Sequence, residues 1–198
     1  VGALDLASTR DFTAFVLIFK KDDILQVLPY FWIPKDTMND RRNAEQIRAW
    51  VDEGYIIATD GNITDYNFIQ AKITELSSKF NITEIAYDPW NSTQIVTNLT
   101  DDGANMIEFR QGFVSMSPAT KEMEKLVLQK KLNHGGNPVL AWMVNNMTLR
   151  TDPAGNIKPD KEKSSDKIDG AVAAVMGISR AVFSWVEQTT SIYENDEC

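Results

Sequence analysis

Residues 12–32 read FTAFVLIFKKDDILQVLPYFW and contain two apolar runs separated by a short charged segment. Phe, Val, Ile and Leu dominate residues 12–19 and 24–32, whereas residues 20–23 are two lysines and two aspartates. Runs of this composition joined by a short polar segment are typical of a β-hairpin. The sequence therefore predicts two antiparallel strands here, the second of which ends at Pro34.

A third strand is predicted in front of this hairpin, where residues 1–7 read VGALDLA. With the two-residue period of a strand, Leu4 and Leu6 share one face, and Ala3 and Asp5 share the other. A carboxylate in an apolar strand is costly unless it is ion-paired, hydrogen-bonded or bound to a metal. Asp5 is therefore a candidate functional residue.

Beyond the hairpin the pattern alternates between helices and strands. One predicted helix has Phe68, Ile69, Ile73 and Leu76 on its apolar face. A second is predicted to begin at Ser117, because proline suits the first turn of a helix. Helices are predicted over 41–53, 65–80, 92–99, 117–132, 137–146 and 166–185, strands over 56–58, 82–87 and 106–109, a hairpin over 147–159 and a disordered tail over 187–198.

This order predicts an α/β fold, in which three antiparallel strands are followed by parallel strands and helices cover both faces of a mixed sheet. The length of 198 residues fits one domain, and 43% hydrophobic residues indicate a globular chain. A net charge of −8 weighs against a simple nucleic-acid coat. The start of the chain inside a strand-like run leads us to expect a preceding domain.

Few other classes of protein fit the sequence. The single cysteine, Cys198, excludes a disulfide framework and a cysteine-rich zinc site, and it favours an intracellular protein. No apolar run is long enough for a membrane span, and no secretory signal is present. The chain lacks phosphate-binding glycine loops and serine-hydrolase or zinc-protease motifs, and its one histidine, His134, lies in a glycine loop.

Three further acids stand near predicted element ends. Asp88 directly follows a predicted strand, where a metal ligand and an ordinary Asx turn are equally good interpretations. Asp166 and Asp169 are predicted to share a helix face that continues as the small residues Gly170, Ala173 and Gly177. Small residues let a helix press closely onto a sheet, although acids at a helix start also cap amides and favour the dipole.

Acids delivered by two strand ends and one helix suit a hard cation such as Mg²⁺. Two such ions about 4 Å apart activate a water and stabilise the leaving oxygen in phosphodiester cleavage. Residues 117–167 carry nine Lys and Arg against six acids, so this segment faces either phosphates or solvent. The basic candidates are Lys121, Lys125, Lys130, Lys131, Arg150, Lys158, Lys161, Lys163 and Lys167.

Several short motifs carry a resemblance to a known family. They are FRQGF at 109–113, MSPATKE at 116–122, HGGNP at 134–138, AW at 141–142, DPAGNIKP at 152–159 and KIDG at 167–170. These motifs resemble the nuclease domain of the large terminase subunit of tailed phages, and the order of elements resembles the RNase H-like fold. The resemblance extends over nearly the whole chain, to about residue 185.

The resemblance implies a metal-dependent DNA endonuclease, over residues 1–186, that cuts concatemeric viral DNA during genome packaging. By position it assigns Asp5, Asp88 and Asp169 as ligands of two Mg²⁺ or Mn²⁺ ions. It places Asp166 at a neighbouring acidic or histidine position that varies in the family, and Asp11 at an outer acid. It also implies double-stranded DNA, an N-terminal packaging ATPase domain, a portal protein and a small terminase subunit as partners, in the host cytoplasm.

Two alternatives remain at this point. A Holliday-junction resolvase or transposase on the same fold would use the same acids on a different DNA substrate. A docking module for the portal or small terminase would keep the fold without cutting, but the presence of all three acids argues against it.

Overall fold

The computed structural model describes residues 1–6, 12–90 and 92–193, with side chains described as far as Phe183. The helices are α1 (Ala44–Asp52), α2 (Tyr66–Lys79), α3 (Thr93–Asp101), α4 (Phe113–Leu128), α5 (Pro138–Asn146) and α6 (Asp169–Tyr193). The strands are β1 (Gly2–Asp5), β2 (Thr13–Lys21), β3 (Ile24–Pro34), β4 (Ile57–Thr59), β5 (Ile85–Tyr87), β6 (Met106–Glu108), β7 (Leu132–Asn133), β8 (Leu149–Thr151) and β9 (Ile157–Pro159).

The main sheet has the order β4-β3-β2-β1-β5-β6, and β7 pairs with β3. Strands β1, β2 and β3 are antiparallel neighbours, while β5 pairs with β1, and β6 with β5, in parallel. The predicted mixed sheet is therefore confirmed. Strands β8 and β9 form the separate hairpin that the sequence predicted over 147–159.

Helices cover both faces of the sheet, and the alternation of β2 shows how the two cores are divided. Ala14, Val16 and Ile18 face a core that contains side chains of α1, α4, α5 and α6. Phe15 and Leu17 face a second core built with α2 and α3. The two-residue period of a strand thus supplies one side chain to each layer in turn.

Helix α6 lies close against the sheet because it presents glycines to it. A Cβ on Gly170 would stand 2.5 Å from Phe31 Cε1, and a Cβ on Gly177 would stand 2.8 Å from Ile18 Cδ1. Neither side chain could be added without a shift of its neighbours. The prediction that small residues bring this helix onto the sheet is confirmed.

Helix α4 differs from the prediction at both ends. It begins at Phe113, before Ser117, because the Met116 amide already donates to the Gly112 carbonyl at 2.9 Å. Pro118 therefore lies inside the helix, where it removes the bond to the carbonyl of the exposed Val114. The helix ends at Leu128, and the left-handed Lys130 (φ 57°) turns the chain toward β7.

Two smaller predictions are wrong. Phe68 is exposed, since the buried line of α2 consists of Ile69, Ile73 and Leu76 alone. Helix α6 continues to Tyr193, whereas the sequence predicted that it ends at residue 185. Among the helices described, none combines the length and apolar character needed to cross a bilayer.

Candidate active site

The candidate site lies where β1 and β5 end side by side. Leu4 pairs with Tyr87 in this parallel ladder, so Asp5 and Asp88 occupy the next register position. Neighbouring strands lie about 4.8 Å apart, and residues in register point to the same face. That face is the one covered by α6, because Ala3, two residues before Asp5, belongs to the α6 core.

Asp5 is held by a hydrogen bond on each carboxylate oxygen. Its side chain is only 3% exposed. Gln111 Nε2 donates to Oδ1 at 2.9 Å, and Lys161 Nζ donates to Oδ2 at 2.6 Å. A buried carboxylate with both oxygens engaged meets the condition under which such a charge is tolerated inside a protein.

Asp169 is the first residue of α6, and its side chain is 8% exposed. Its Oδ1 lies 3.1 Å from the same Lys161 Nζ, so a single ammonium bridges Asp5 and Asp169. Partial burial acts to lower the pKa of Lys161, but the charges of the two aspartates and hydrogen bonds to them raise it above its usual value. Two carboxylates of the site thus contact the same cation.

Lys161 is presented by a tight turn between β9 and α6. Asp160 Oδ1 accepts the amides of Glu162 at 3.0 Å and Lys163 at 3.2 Å. The Asp160 carbonyl also accepts the Ser164 hydroxyl at 2.7 Å. These bonds fix the backbone on both sides of Lys161, which places its ammonium at the two acids.

Asp88 stands beside this pair and has a different partner. It is half-buried, and its Oδ1 accepts the amide of Trp90 at 3.1 Å, which is the Asx turn that the sequence left open. Within the described ranges, no group of three or more His, Cys, Asp and Glu side chains is close enough to hold a metal. The structure therefore joins Asp5 and Asp169 through Lys161 and brings Asp88 to the register position beside Asp5.

The predictions for the two outer acids, Asp166 and Asp11, have different outcomes. Asp166 precedes α6, so the prediction that it shares a helix face with Asp169 is wrong. The helix starts late because the preceding loop is tied to the end of α5, where Asn146 Nδ2 donates to the Lys167 carbonyl at 3.3 Å. Asp166 nevertheless lines one cleft with Lys161 and Asp169. Asp11 lies outside the described residues.

The basic candidates do not form one surface. Arg150, Lys158 and Lys161 line a single pocket beside the acids. Lys158 Nζ donates to the Gln111 carbonyl at 3.0 Å, so this lysine also supports the loop that holds Asp5.

Other members lie elsewhere. Lys131 joins the far end of the sheet, because its carbonyl accepts the amide of Leu25, and Lys130 is adjacent. Lys125 forms an ion pair with Glu122 on the exposed side of α4. Lys121 contacts the Gly155 carbonyl of the β8–β9 hairpin at 3.4 Å. Lys163 and Lys167 remain in the loop beside Lys161.

Sequence reasoning missed the two residues that contact Asp5. Gln111 belongs to the FRQGF motif, which carried the resemblance but no assigned role. Lys161 was grouped with lysines that could face phosphates, yet it bridges the acids. No spacing in the sequence links Lys161 to Asp5, which is 156 residues away, and only the fold brings them together.

Comparisons with known proteins point to one family. The sequence model described as "Terminase large subunit, endonuclease domain" matches residues 1–184. The large terminase subunit of Enterobacteria phage HK97 is 36% identical over 192 residues, which cover 94% of this chain and 38% of the relative. Protein YmfN of Escherichia coli K12 is 32% identical over 202 residues, covering 96% of this chain and 44% of the relative.

Solved structures agree with the sequence comparison. The crystal structure of the HK97 large terminase superposes with a TM-score of 0.84 at 36% identity, covering 91% of this chain and 39% of that one. The large terminase nuclease of thermophilic phage G20c with bound magnesium has a TM-score of 0.59 at 10% identity, covering 89% and 78%. The latter similarity is one of fold. The chain spans about two fifths of the length of the HK97 and YmfN relatives.

Proposed function

Because this chain belongs to the family of terminase large-subunit endonuclease domains, we propose that it cuts double-stranded viral DNA during genome packaging by divalent-metal-dependent hydrolysis. Family membership makes it an enzyme of the endonuclease class. The observation that carries the proposal is the pair of nearly buried carboxylates, Asp5 and Asp169, that converge on one cation. Such a pair suits a reaction that needs positive charge at a phosphate.

The donor set fits divalent ions such as Mg²⁺ or Mn²⁺. Asp5 and Asp169 already bind one cation, the ammonium of Lys161, and Asp88 occupies the register position beside Asp5. All three supply oxygen, the ligand that these ions prefer. A G20c nuclease structure contains bound magnesium and another contains cobalt, which supports the same dependence here. We propose that Asp5, Asp88 and Asp169 would hold two such ions.

The bound ions would supply a nucleophilic water at neutral pH and stabilise the charge on the leaving oxygen. The protein's own part is positioning. Gln111 fixes one oxygen of Asp5, which leaves the other directed toward the cation. Arg150 and Lys158 line the adjacent pocket, where a phosphate of the bound strand would meet positive charge.

Residues 1–186 form the nuclease in this proposal, and the other components belong to the packaging machine around it. A packaging ATPase domain in the full-length chain, a portal protein and a small terminase subunit are the proposed partners, in the host cytoplasm. The net charge of −8 is unfavourable for tight DNA binding by the isolated domain. We therefore expect these partners to supply most of the affinity for DNA.

The test is nicking of supercoiled plasmid by metal-stripped protein, with Mg²⁺ or Mn²⁺ added back. We expect cutting with either ion, none in excess EDTA, and recovery when metal is restored. Asp169→Asn should remain inactive, while Asp36→Asn, which removes an exposed acid next to β3, should cut like the parent. Undiminished cutting in EDTA would contradict the metal mechanism. Preference for a four-way junction over plasmid would favour the resolvase alternative.

A further inference from the structure

We propose that Lys161 is a built-in counter-cation that competes with divalent metal for Asp5 and Asp169 and is displaced when metal binds. This inference rests on the metal site of the proposed function. It starts from one geometric fact: the ammonium lies 2.6 Å from Asp5 Oδ2 and 3.1 Å from Asp169 Oδ1. It thus occupies the position between the two carboxylates.

The ammonium and a divalent ion cannot occupy that position together. A magnesium–oxygen bond is about 2.0–2.1 Å long, so an ion on Asp5 Oδ2 would stand in the space now taken by Lys161 Nζ. Like charges at such a separation also repel strongly in a partly buried site. The remaining oxygen of Asp5, Oδ1, accepts from Gln111. Metal binding at Asp5 Oδ2 therefore requires the lysine to leave.

The lysine has somewhere to go without a change of backbone. Its side chain is 41% exposed and lines clefts on both sides, one with Arg150 and Lys158 and another with Asp166. The turn that carries it is fixed by the Asp160 bonds to Glu162 and Lys163. A flexible four-carbon stem on a rigid turn can swing its ammonium into solvent while its Cα stays in place.

Lys161 has a clear role in the metal-free protein. Two carboxylates that are 3% and 8% exposed would otherwise repel each other across a small gap. The lysine neutralises part of that charge and keeps both oxygens aimed at one point. It also weakens metal binding, because the apparent affinity equals the intrinsic affinity multiplied by the fraction of molecules in which the lysine has left. The site thereby requires a higher metal concentration to load.

The experiment measures metal binding without DNA, by calorimetric titration of metal-stripped protein with Mg²⁺ and Mn²⁺, and by melting with and without metal. In Lys161→Met we expect binding to tighten about tenfold, which corresponds to an open state populated about one-tenth of the time in the parent. The metal-free variant should melt lower than the parent, and metal should raise its melting temperature more.

Lys163→Met is the matched control, because it removes the same charge two residues away on the exposed side of the same turn. It should bind metal as the parent does, which separates local competition from a general change of charge. Lys161→Gln keeps an N–H donor for Asp5 without the charge and should also bind more tightly. If Lys161→Met does not fold, Lys161→Gln still tests whether the lysine competes with metal.

The outcomes separate this inference from the proposed function. Equal and measurable affinities in the parent and both Lys161 variants would overturn the competition and leave the metal site standing. Binding that appears only after Lys161 is replaced would support the inference in its strongest form. No binding in the parent or in either variant would overturn the inference and the metal site together.

Discussion

Helix α6 carries a charged cluster near each end of its contact with the sheet, and the two clusters are built differently. At its start, Asp169 and Asp5 both contact the ammonium of Lys161. Eleven residues later, about 16 Å along the helix, Arg180 binds Glu84 with two hydrogen bonds of 2.7 Å each. Glu84 precedes β5, whereas Asp88 follows it, so the clusters mark opposite ends of that strand.

The difference lies in the balance of charge. Glu84 and Arg180 form a bidentate pair, with side chains 11% and 24% exposed, in which one negative charge faces one positive charge. At the other end, the two carboxylates of Asp5 and Asp169 contact the same lysine. A balanced pair fastens the helix to the sheet, while an unbalanced one is suited to bind a cation. We therefore expect mutations at the Asp169 end to reduce nicking and mutations at the Arg180 end to reduce stability.

The largest effect should come from Asp5→Asn. Because a bound metal supplies several kcal/mol of transition-state stabilisation, we expect nicking to fall more than about 10³-fold. The melting temperature of the metal-free protein should stay the same or rise, since Asn can still accept from Gln111 and the Lys161–Asp169 pair remains. Plasmid nicking and thermal melting in EDTA measure the two quantities. A large fall in melting temperature would mark Asp5 as a structural acid.

Glu84→Gln should have the opposite profile. The Arg180 guanidinium would face a neutral amide in a mostly buried place, and we expect the free energy of unfolding to fall by about 2–3 kcal/mol, less than for a fully buried pair. Nicking at saturating metal should match the parent at temperatures where both are folded. Urea denaturation gives the stability. A variant that is stable but inactive would break the proposed division between the two ends.

Most of the fold could be predicted from sequence because its signals are local. The apolar hairpin over residues 12–32 and the period-two pattern around Asp5 need only neighbouring residues. The predictions failed where a distant contact or an unusual backbone decides the outcome. Helix α6 starts at Asp169 because Asn146 holds the loop before it, and α4 tolerates Pro118 inside it.

The candidate site depends even more than the fold on contacts between residues that are distant in sequence. The strand register brings Asp5 and Asp88 to neighbouring positions, as expected for acids at the ends of two paired strands. Gly170 and Gly177 let α6 approach the sheet closely, which brings Asp169 near it. The partners of Asp5 could not be found in this way. Gln111 and Lys161 reach it from loops at sequence separations of 106 and 156, where no periodic pattern applies.

A smaller effect is expected from alanine substitutions at the two glycines that let α6 lie close to the sheet. Gly170→Ala would press a methyl group against the buried ring of Phe31 and should lower the free energy of unfolding by about 1–2 kcal/mol. It should also reduce nicking, because Asp169 is the preceding residue.

Gly177→Ala is the comparison for that variant. Its methyl group would meet the flexible end of Ile18, and the better helix propensity of alanine, about 1 kcal/mol, offsets the crowding. We expect near-parent stability and parent-like nicking. Equal loss of nicking in both variants would show that the approach of the whole helix, rather than the position of Asp169, controls activity.

Among the acids of the site, the smallest loss of nicking is expected at Asp166, which shares a cleft with Asp169 but lies outside the helix. Its Oδ1 accepts the amide of Lys167 at 2.8 Å, so one oxygen is already used to shape the loop. Groups that support a metal site from outside typically cost about 10- to 100-fold when removed. We expect the lower end of that range for Asp166→Ala and no detectable nicking for Asp169→Ala at any metal concentration. Nicking rates of both variants across a metal titration decide between them, and full activity in Asp169→Ala together with none in Asp166→Ala would reverse the assignment of the metal ligand.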